Sequence, residues 1–294
     1  MKTMYRNFAG AALTGALLCG SVACSADSGK PASDSKPAAD SKAAEKPVAV
    51  TPAAAVKRAV DNGQKLTSLS YSMSGKVPGE GPVEGSASMS LKPLGIQMKM
   101  NAELDGKLEK LEIRIIDDGM YINGGKEAAA ELGGKTWLKF PMDTLGKGSP
   151  LDQLPSQVSE NPADESASLT EAKDLKKVGE ETVDGVSTTH YTGTVTLAAM
   201  RESAKGEDAE AEKRREKTIK SYEDMGLDKL TMDIWVDKDD RTKQFRTQGT
   251  SKKGPLDLMI KFYDYNKPVA VKAPPAAETE DLAELMQGAG ADAS

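Results

Sequence analysis

The chain has 294 residues, a formal net charge of −6 and an aromatic content of only 4%. Its 45 acidic residues outnumber its 39 basic ones, which argues against a nucleic-acid-binding protein, because such proteins need a basic face. Both cysteines, Cys19 and Cys24, lie near the amino terminus, so the rest of the chain offers neither a disulfide nor a thiolate metal site.

The first 23 residues have the pattern of a secretory signal. Lys2 and Arg6 precede a short apolar run, residues 8–19, which is too short to span a membrane. Small residues then lead into Cys24, an arrangement that resembles the lipobox of bacterial lipoproteins, with Ser21 standing where an aliphatic residue is usual. The resemblance implies that Cys24 becomes the first mature residue and carries lipid chains. The alternative is an ordinary secretory signal with an incidental cysteine.

Residues 24–50 have the composition of a tether. They are built from Ala, Ser, Asp, Lys and Pro, which cannot bury enough apolar area to fold, so we expect them to be disordered. A flexible chain of this length reaches roughly 25–30 Å. The folded domain is predicted to span residues 51–288, followed by a disordered tail at residues 289–294.

The first half of this domain predicts one helix followed by a meander of strands. Residues 52–62 have the periodicity of a helix whose apolar stripe is Ala55, Val56, Ala59 and Val60. Apolar and polar residues then alternate in short runs separated by Pro and Gly, which is typical of antiparallel strands with one dry and one wet face. The predicted strands are residues 68–77, 83–91, 96–101, 111–115, 120–123 and 137–140.

A predicted β-hairpin, residues 178–197, begins the second half. It turns at Asp184-Gly185, and Tyr191, Val195 and Leu197 fall on the dry face of its second strand. Thr188, His190, Thr192 and Thr194 fall on the other face, which we expect to be wet. The remaining elements are predicted as a single long charged helix over residues 198–227, strands at 230–237, 241–250 and 256–265, and a last helix that begins near Thr279.

Four stretches resemble one family in their order and spacing. They are YINGG (121–125), VGEETVDGVSTTHYTGTV (178–195), DIWVDKDDRTKQFR (233–246) and YDYNKPVAVKAPPAAETEDL (263–282). Together they are similar to the LppX and LprG group of actinobacterial lipoproteins, which is related in fold to the lipoprotein carriers LolA and LolB. The resemblance implies an α+β half-barrel: one strongly curved antiparallel sheet with helices across its concave face and an apolar cavity that holds lipid tails.

On this basis we expect an extracytoplasmic, membrane-anchored, monomeric protein that binds or carries a lipid or glycolipid. Its partners would be the cytoplasmic membrane, through Cys24, and an envelope protein or membrane transporter. The alternative is a non-catalytic interaction or signalling module with a filled core. The candidate cavity-lining residues are Met73, Met89, Met98, Met100, Ile113, Ile115, Tyr191, Met232, Ile234, Leu258 and Ile260.

No motif in the sequence predicts an enzyme, a cofactor or a metal site. His190 is the only histidine and falls on the face expected to be wet, so a general-base role is not predicted. Residues 237–240 begin like a calcium loop, but Arg241 and Thr242 follow and no Glu closes it, so a hairpin turn is the better interpretation. Glycines 79, 81, 124 and 125 precede no phosphate-binding strand–helix unit.

Overall fold

The computed structural model describes residues 50–104, 107–125, 129–130, 132–142, 162–205 and 209–285. The predicted signal, Cys24, most of the predicted tether and the tail at 289–294 lie outside these residues. So does the end of the predicted folded domain, residues 286–288.

Helix α1, Pro52–Gly63, opens the described part of the chain as predicted. Thr51 caps it, because its hydroxyl oxygen accepts a hydrogen bond from the backbone N–H of Ala54. Proline in the first turn costs nothing there, since that N–H has no partner within the helix. The predicted stripe of Ala and Val residues is buried, which docks the helix on the rest of the domain.

A single sheet of 12 strands forms the body of the described region. The spatial order is β12-β6-β5-β4-β3-β2-β1-β11-β10-β9-β8-β7, and all neighbours are antiparallel except β12 and β6. The sheet is curved and not closed, so the predicted α+β class is confirmed. The strands are β1 Ser68–Val77, β2 Gly81–Leu91, β3 Leu94–Leu104, β4 Lys107–Ile116, β5 Gly119–Asn123, β6 Trp137–Pro141, β7 Lys176–Val183, β8 Val186–Thr196, β9 Lys229–Asp237, β10 Thr242–Ser251, β11 Gly254–Tyr263 and β12 Thr279–Asp281.

The described helices cover the sheet mainly over β8, β9 and β10. A 3₁₀ helix, Pro162–Glu171, packs against α1 and against these three strands. Gly193 of β8 permits this close approach, because a Cβ atom there would lie 2.7 Å from the Cβ of Ala172 and 3.0 Å from Cδ1 of Leu169. Leu169 is fully buried, and so are Met232 and Ile234, so this part of the core is filled with side chains.

The predicted long helix over residues 198–227 is wrong, since the chain forms two shorter helices there. They are α2, Leu197–Ala204, and α3, Ala209–Asp224. α2 ends because Lys205 adopts an extended backbone. Arg201 then reaches from α2 to Glu216 and Glu223 of α3, at 3.0 and 3.1 Å.

The helix predicted to begin near Thr279 is also misplaced. Thr279, Glu280 and Asp281 form β12, which pairs in parallel with β6. Pairing with β6 outweighs the helical pattern here, because the edge of the sheet offers backbone hydrogen bonds to these residues. In addition, Lys135 forms an ion pair with Glu280, and Lys139 forms one with Asp281. A short 3₁₀ helix, Ala276–Glu278, precedes β12, and α-helix begins only after Asp281, whose carboxylate accepts a hydrogen bond from the backbone N–H of Ala283.

The face of β8 that was predicted to be wet is largely covered. Thr188 is 1% exposed, and its hydroxyl donates to the backbone oxygen of Glu181 on β7. His190 is only 12% exposed in its side chain. The alternation of faces was predicted correctly, but long side chains from β7 and β9 exclude water from the middle of this face.

Candidate functional site

A cavity of about 650 Å³ lies where β1 turns into β2. We call it the methionine cavity, because Met73 and Met100 face each other across it. Its remaining apolar lining comes from Val77, Pro82, Val83 and Leu258, and Gly79, Glu80, Glu84 and Asn101 complete the described wall.

The strand register explains why the sheet is recessed at this point. Met73 of β1 pairs with Gly85 of β2, and Gly85 pairs with Met100 of β3. No side chain therefore stands between the two methionines. A Cβ atom at Gly85 would lie 2.9 Å from the backbone oxygen of Lys99, so a larger residue would push β2 and β3 apart.

The adjacent row of the sheet repeats the arrangement. Gly75 of β1 pairs with Val83 on one side and Leu258 on the other. This position is restricted to glycine, because its φ is +153° and a Cβ atom there would lie 1.9 Å from the backbone oxygen of Asp257. Two neighbouring rows thus each lack one side chain, and the space that remains is bordered by thioether and aliphatic groups.

The structure divides the predicted lining residues into two groups. Met73, Met100 and Leu258 border the methionine cavity. The other eight are buried at 9% exposure or less in the continuous core: Met89, Met98, Ile113, Ile115, Tyr191, Met232, Ile234 and Ile260. Sequence reasoning missed the contribution of Val77, Pro82 and Val83, although Gly75 and Gly85 within strands were the signal that could have located the recess.

The described rim of the methionine cavity is acidic. Glu80, in the turn between β1 and β2, stands at its edge, and neither lysine nor arginine is among the residues that the structure describes in its lining. Glu84 and Asn101 also border it, but they pair with each other in the row that alternates with Gly85 and Met100, so their side chains point to the opposite face of the sheet. A ligand that projects a polar group from this opening would therefore meet the carboxylate of Glu80.

A polar cluster on the opposite side of the sheet surrounds His190. Its Nδ1 lies 2.9 Å from Glu181 Oε1 and its Nε2 lies 2.8 Å from Asp233 Oδ1. The ring stacks on Trp235 with 4.1 Å between centroids, and the indole N–H donates to Glu181 Oε2 over 2.7 Å. Hydrogen bonds from Trp235 and His190 lower the pKa of Glu181. The cluster links β7, β8 and β9, and both ring nitrogens of His190 have a hydrogen-bond partner.

The segment that resembles the start of a calcium loop is a hairpin turn, as predicted. Asp237 accepts hydrogen bonds from the backbone N–H groups of Asp239 and Arg241, and from Arg241 Nε. Its carboxylate is thus occupied within the turn. In the described ranges, His, Cys, Asp and Glu nowhere form a group of three or more that could hold a metal ion. No helix within those ranges is long and apolar enough to cross a membrane.

The architecture is that of an α+β protein built on one open, curved antiparallel sheet, and comparison with known proteins extends this description. No family model matches the chain. An uncharacterised 31.2 kDa protein from the rplA–rplJ intergenic region of Streptomyces griseus is 31% identical over 188 residues, which are 62% of this chain and 59% of the relative. A candidate lipoprotein of Streptomyces coelicolor is 28% identical over 183 residues, 61% of this chain and 54% of the relative. The matches thus span less than two thirds of either relative.

Solved structures that match include two mycobacterial lipoproteins. LppX of Mycobacterium tuberculosis is 16% identical with a TM-score of 0.45, over 75% of this chain and 98% of LppX. LprF of Mycobacterium bovis is 12% identical with a TM-score of 0.48, over 76% of this chain and 97% of LprF. The resemblance to the LppX and LprG group that the sequence indicated is confirmed.

Proposed function

We propose that this protein is a membrane-anchored, extracytoplasmic lipoprotein that binds or carries a lipid or glycolipid, with no catalytic role. The observation that carries the proposal is the methionine cavity, an apolar recess of about 650 Å³ on the sheet. Sites for small molecules are typically about 300–1,000 Å³ and mostly apolar, so the recess has the size and lining of a ligand site.

The energetics of lipid transfer favour such a recess. Moving a 16-carbon tail from a membrane into water costs roughly 13 kcal/mol of free energy, at about 0.8 kcal/mol per CH₂. A carrier must offset most of this cost by covering the tail with apolar groups, because a few hydrogen bonds cannot do so. Met73 and Met100 suit this task because flexible thioethers adapt to tails of different shape.

The rim of the methionine cavity favours a head group that carries no negative charge. Glu80 would repel a phosphate or carboxylate at the opening, whereas sugar hydroxyl groups can donate hydrogen bonds to it. A neutral glycolipid therefore fits the described rim better than an anionic phospholipid.

The anchor in this proposal is Cys24. Two or more acyl chains on one residue hold a protein stably on a membrane, and residues 24–50 would let a monomeric domain float near that surface and meet a transporter or envelope protein. The relative from S. coelicolor described as a candidate lipoprotein supports this assignment.

A second candidate function is a non-catalytic interaction module with a filled core. The observation that favours it is the complete burial of Leu169 on the 3₁₀ helix and of Met232 and Ile234 on the strand below it, where no room for a ligand remains. This alternative requires the methionine cavity to stay empty in the cell.

Native mass spectrometry of the protein purified from a Streptomyces host distinguishes the two. The lipid-binding proposal expects a co-purifying neutral lipid, identified after organic extraction. A protein that emerges without lipid and takes up none from neutral glycolipid vesicles would favour the interaction module. Replacing Cys24 with Ala tests the anchor separately: the variant should leave the membrane fraction, and continued membrane association would reject lipidation as the attachment.

A further inference from the structure

A second cavity, of about 150 Å³, lies between the end of α1, the β9–β10 turn and the segment after β11. We call it the threonine pocket. Leu66, Leu69 and Phe262 give it an apolar wall, and Thr242 and Tyr265 contribute polar atoms. The rest of its lining is Asn62, Gly63, Lys65, Asp239, Arg241 and Asn266. An apolar protein cavity of about this volume is large enough to hold one benzene ring.

The hydroxyl group of Thr242, which lines this pocket, has no hydrogen-bond partner. The side chain is 5% exposed, and its Oγ1 is a buried atom without a hydrogen-bond partner, the one such side-chain atom found among the described residues. Leaving a buried hydroxyl unpaired costs free energy, and native proteins almost always avoid it. The nearby Tyr265 cannot supply the bond, because its hydroxyl faces the backbone oxygens of Thr242 and Phe262 at 2.5 and 3.0 Å.

The charges around the threonine pocket offset one another. Arg241 and Asp239 form an ion pair of 2.6 Å, and Arg241 also binds Asp237. Lys65 at the rim carries a positive charge, while the carboxyl end of α1 beside it carries a partial negative charge. The ion pairs of Arg241 and the helix end beside Lys65 therefore weaken the attraction that an anion or a cation would meet near the hydroxyl of Thr242.

From these observations we propose that the threonine pocket binds a small uncharged amphiphile with one ring and a single hydroxyl or carbonyl group, the size of phenol. The ring lies against Leu66, Leu69 and Phe262, and the polar atom pairs with Thr242 Oγ1. This site is separate from the methionine cavity and does not depend on lipid binding there.

Titration of the purified protein with p-cresol, followed by two-dimensional NMR, tests the proposal. Saturable shifts should centre on Thr242 and Leu69. Thr242→Val, which keeps the shape and removes the hydroxyl, should weaken binding by about tenfold. The same variant should unfold at a higher temperature than the wild type, since it removes an unpaired buried hydroxyl, and this second readout separates lost recognition from lost folding.

The matched control is Thr250→Val, which makes the same change at an exposed position of the same strand and should leave binding unchanged. Toluene, benzoate and benzylammonium serve as ligand controls, and each should bind more weakly than p-cresol. Equal binding of toluene, tighter binding of either charged analogue, unchanged affinity in Thr242→Val, or no saturable shift up to about 10 mM would overturn the proposal.

Discussion

Met73 and Met100 lie two strands apart in one row of the sheet, with only Gly85 between them. Neighbouring strands are about 4.8 Å apart, so the two methionine backbones are separated by roughly 10 Å with no side chain between them on this face. This spacing, rather than the number of methionines in the chain, produces the recess on which the proposed lipid site depends.

Met100→Trp should fill the methionine cavity and abolish lipid loading while the protein stays folded, because the residue is only partly buried and has free space beside it. Native mass spectrometry measures the loading, and circular dichroism the fold. Met259→Trp is the control, since β11 borders the cavity through Leu258 but Met259, the next residue, points to the opposite face. Unchanged loading in Met100→Trp would mean that the lipid binds elsewhere.

Met232→Trp should behave differently from Met100→Trp. Met232 is fully buried under the helices, so the larger ring has no space and overpacks the core. We expect a loss of about 1–3 kcal/mol or more in the free energy of unfolding, measured by urea denaturation. A variant as stable as the wild type would reveal a second hollow beneath the 3₁₀ helix.

Gly193→Ala should destabilise the domain, because its new methyl group would lie 2.7 Å from the Cβ of Ala172. The 3₁₀ helix must then move off β8, at a cost of about 1–3 kcal/mol in the free energy of unfolding. Gly179→Ala makes the same change on the adjacent strand, where no atom lies within 4 Å, and should be close to neutral. Similar urea midpoints for the two variants would contradict the close contact.

His190→Ala should weaken the link between β7, β8 and β9. It removes the hydrogen bonds to Glu181 and Asp233 and leaves the carboxylate of Asp233, which is 12% exposed, without this partner. Such a loss costs about 1–3 kcal/mol. Thr189→Ala is the matched control, because the Thr189 hydroxyl binds only the exposed carboxylate of Glu180. Equal urea midpoints for His190→Ala and the wild type would show that the cluster adds no stability.

The stability of the domain should fall at high pH because of Tyr71. Burial raises the pKa of its phenol from 10.0 to about 12. The folded state therefore holds this proton more tightly than the unfolded state, so the contribution is complete below pH 10 and is lost as the pH rises towards 12. We expect the free energy of unfolding, measured by urea denaturation, to fall between pH 9 and pH 12. The fall should be about 2–3 kcal/mol larger in the wild type than in Tyr71→Phe. An identical pH dependence in the two proteins would assign the loss to other groups.

Much of the fold could be predicted because local patterns and tertiary contacts agree. Alternation of apolar and polar residues placed most strands within a few residues, and the stripe of Ala and Val residues placed α1. The Asp184-Gly185 turn was also predictable, because both residues adopt the positive φ that few side chains tolerate. The pattern failed for residues 279–281, where pairing with β6 outweighed a helical capping signal.

Composition and periodicity by themselves determined the kind of protein: an acidic domain without thiols, built on an antiparallel sheet, behind a segment that resembles a lipoprotein signal. They could not tell which apolar residues pack against helices and which border open space. Met232 and Met100 occupy equivalent inward positions on their strands, yet one is fully buried and the other borders a cavity. Only the tertiary structure decided this, because strand register and the reach of the covering helices are set by contacts between residues far apart in the chain.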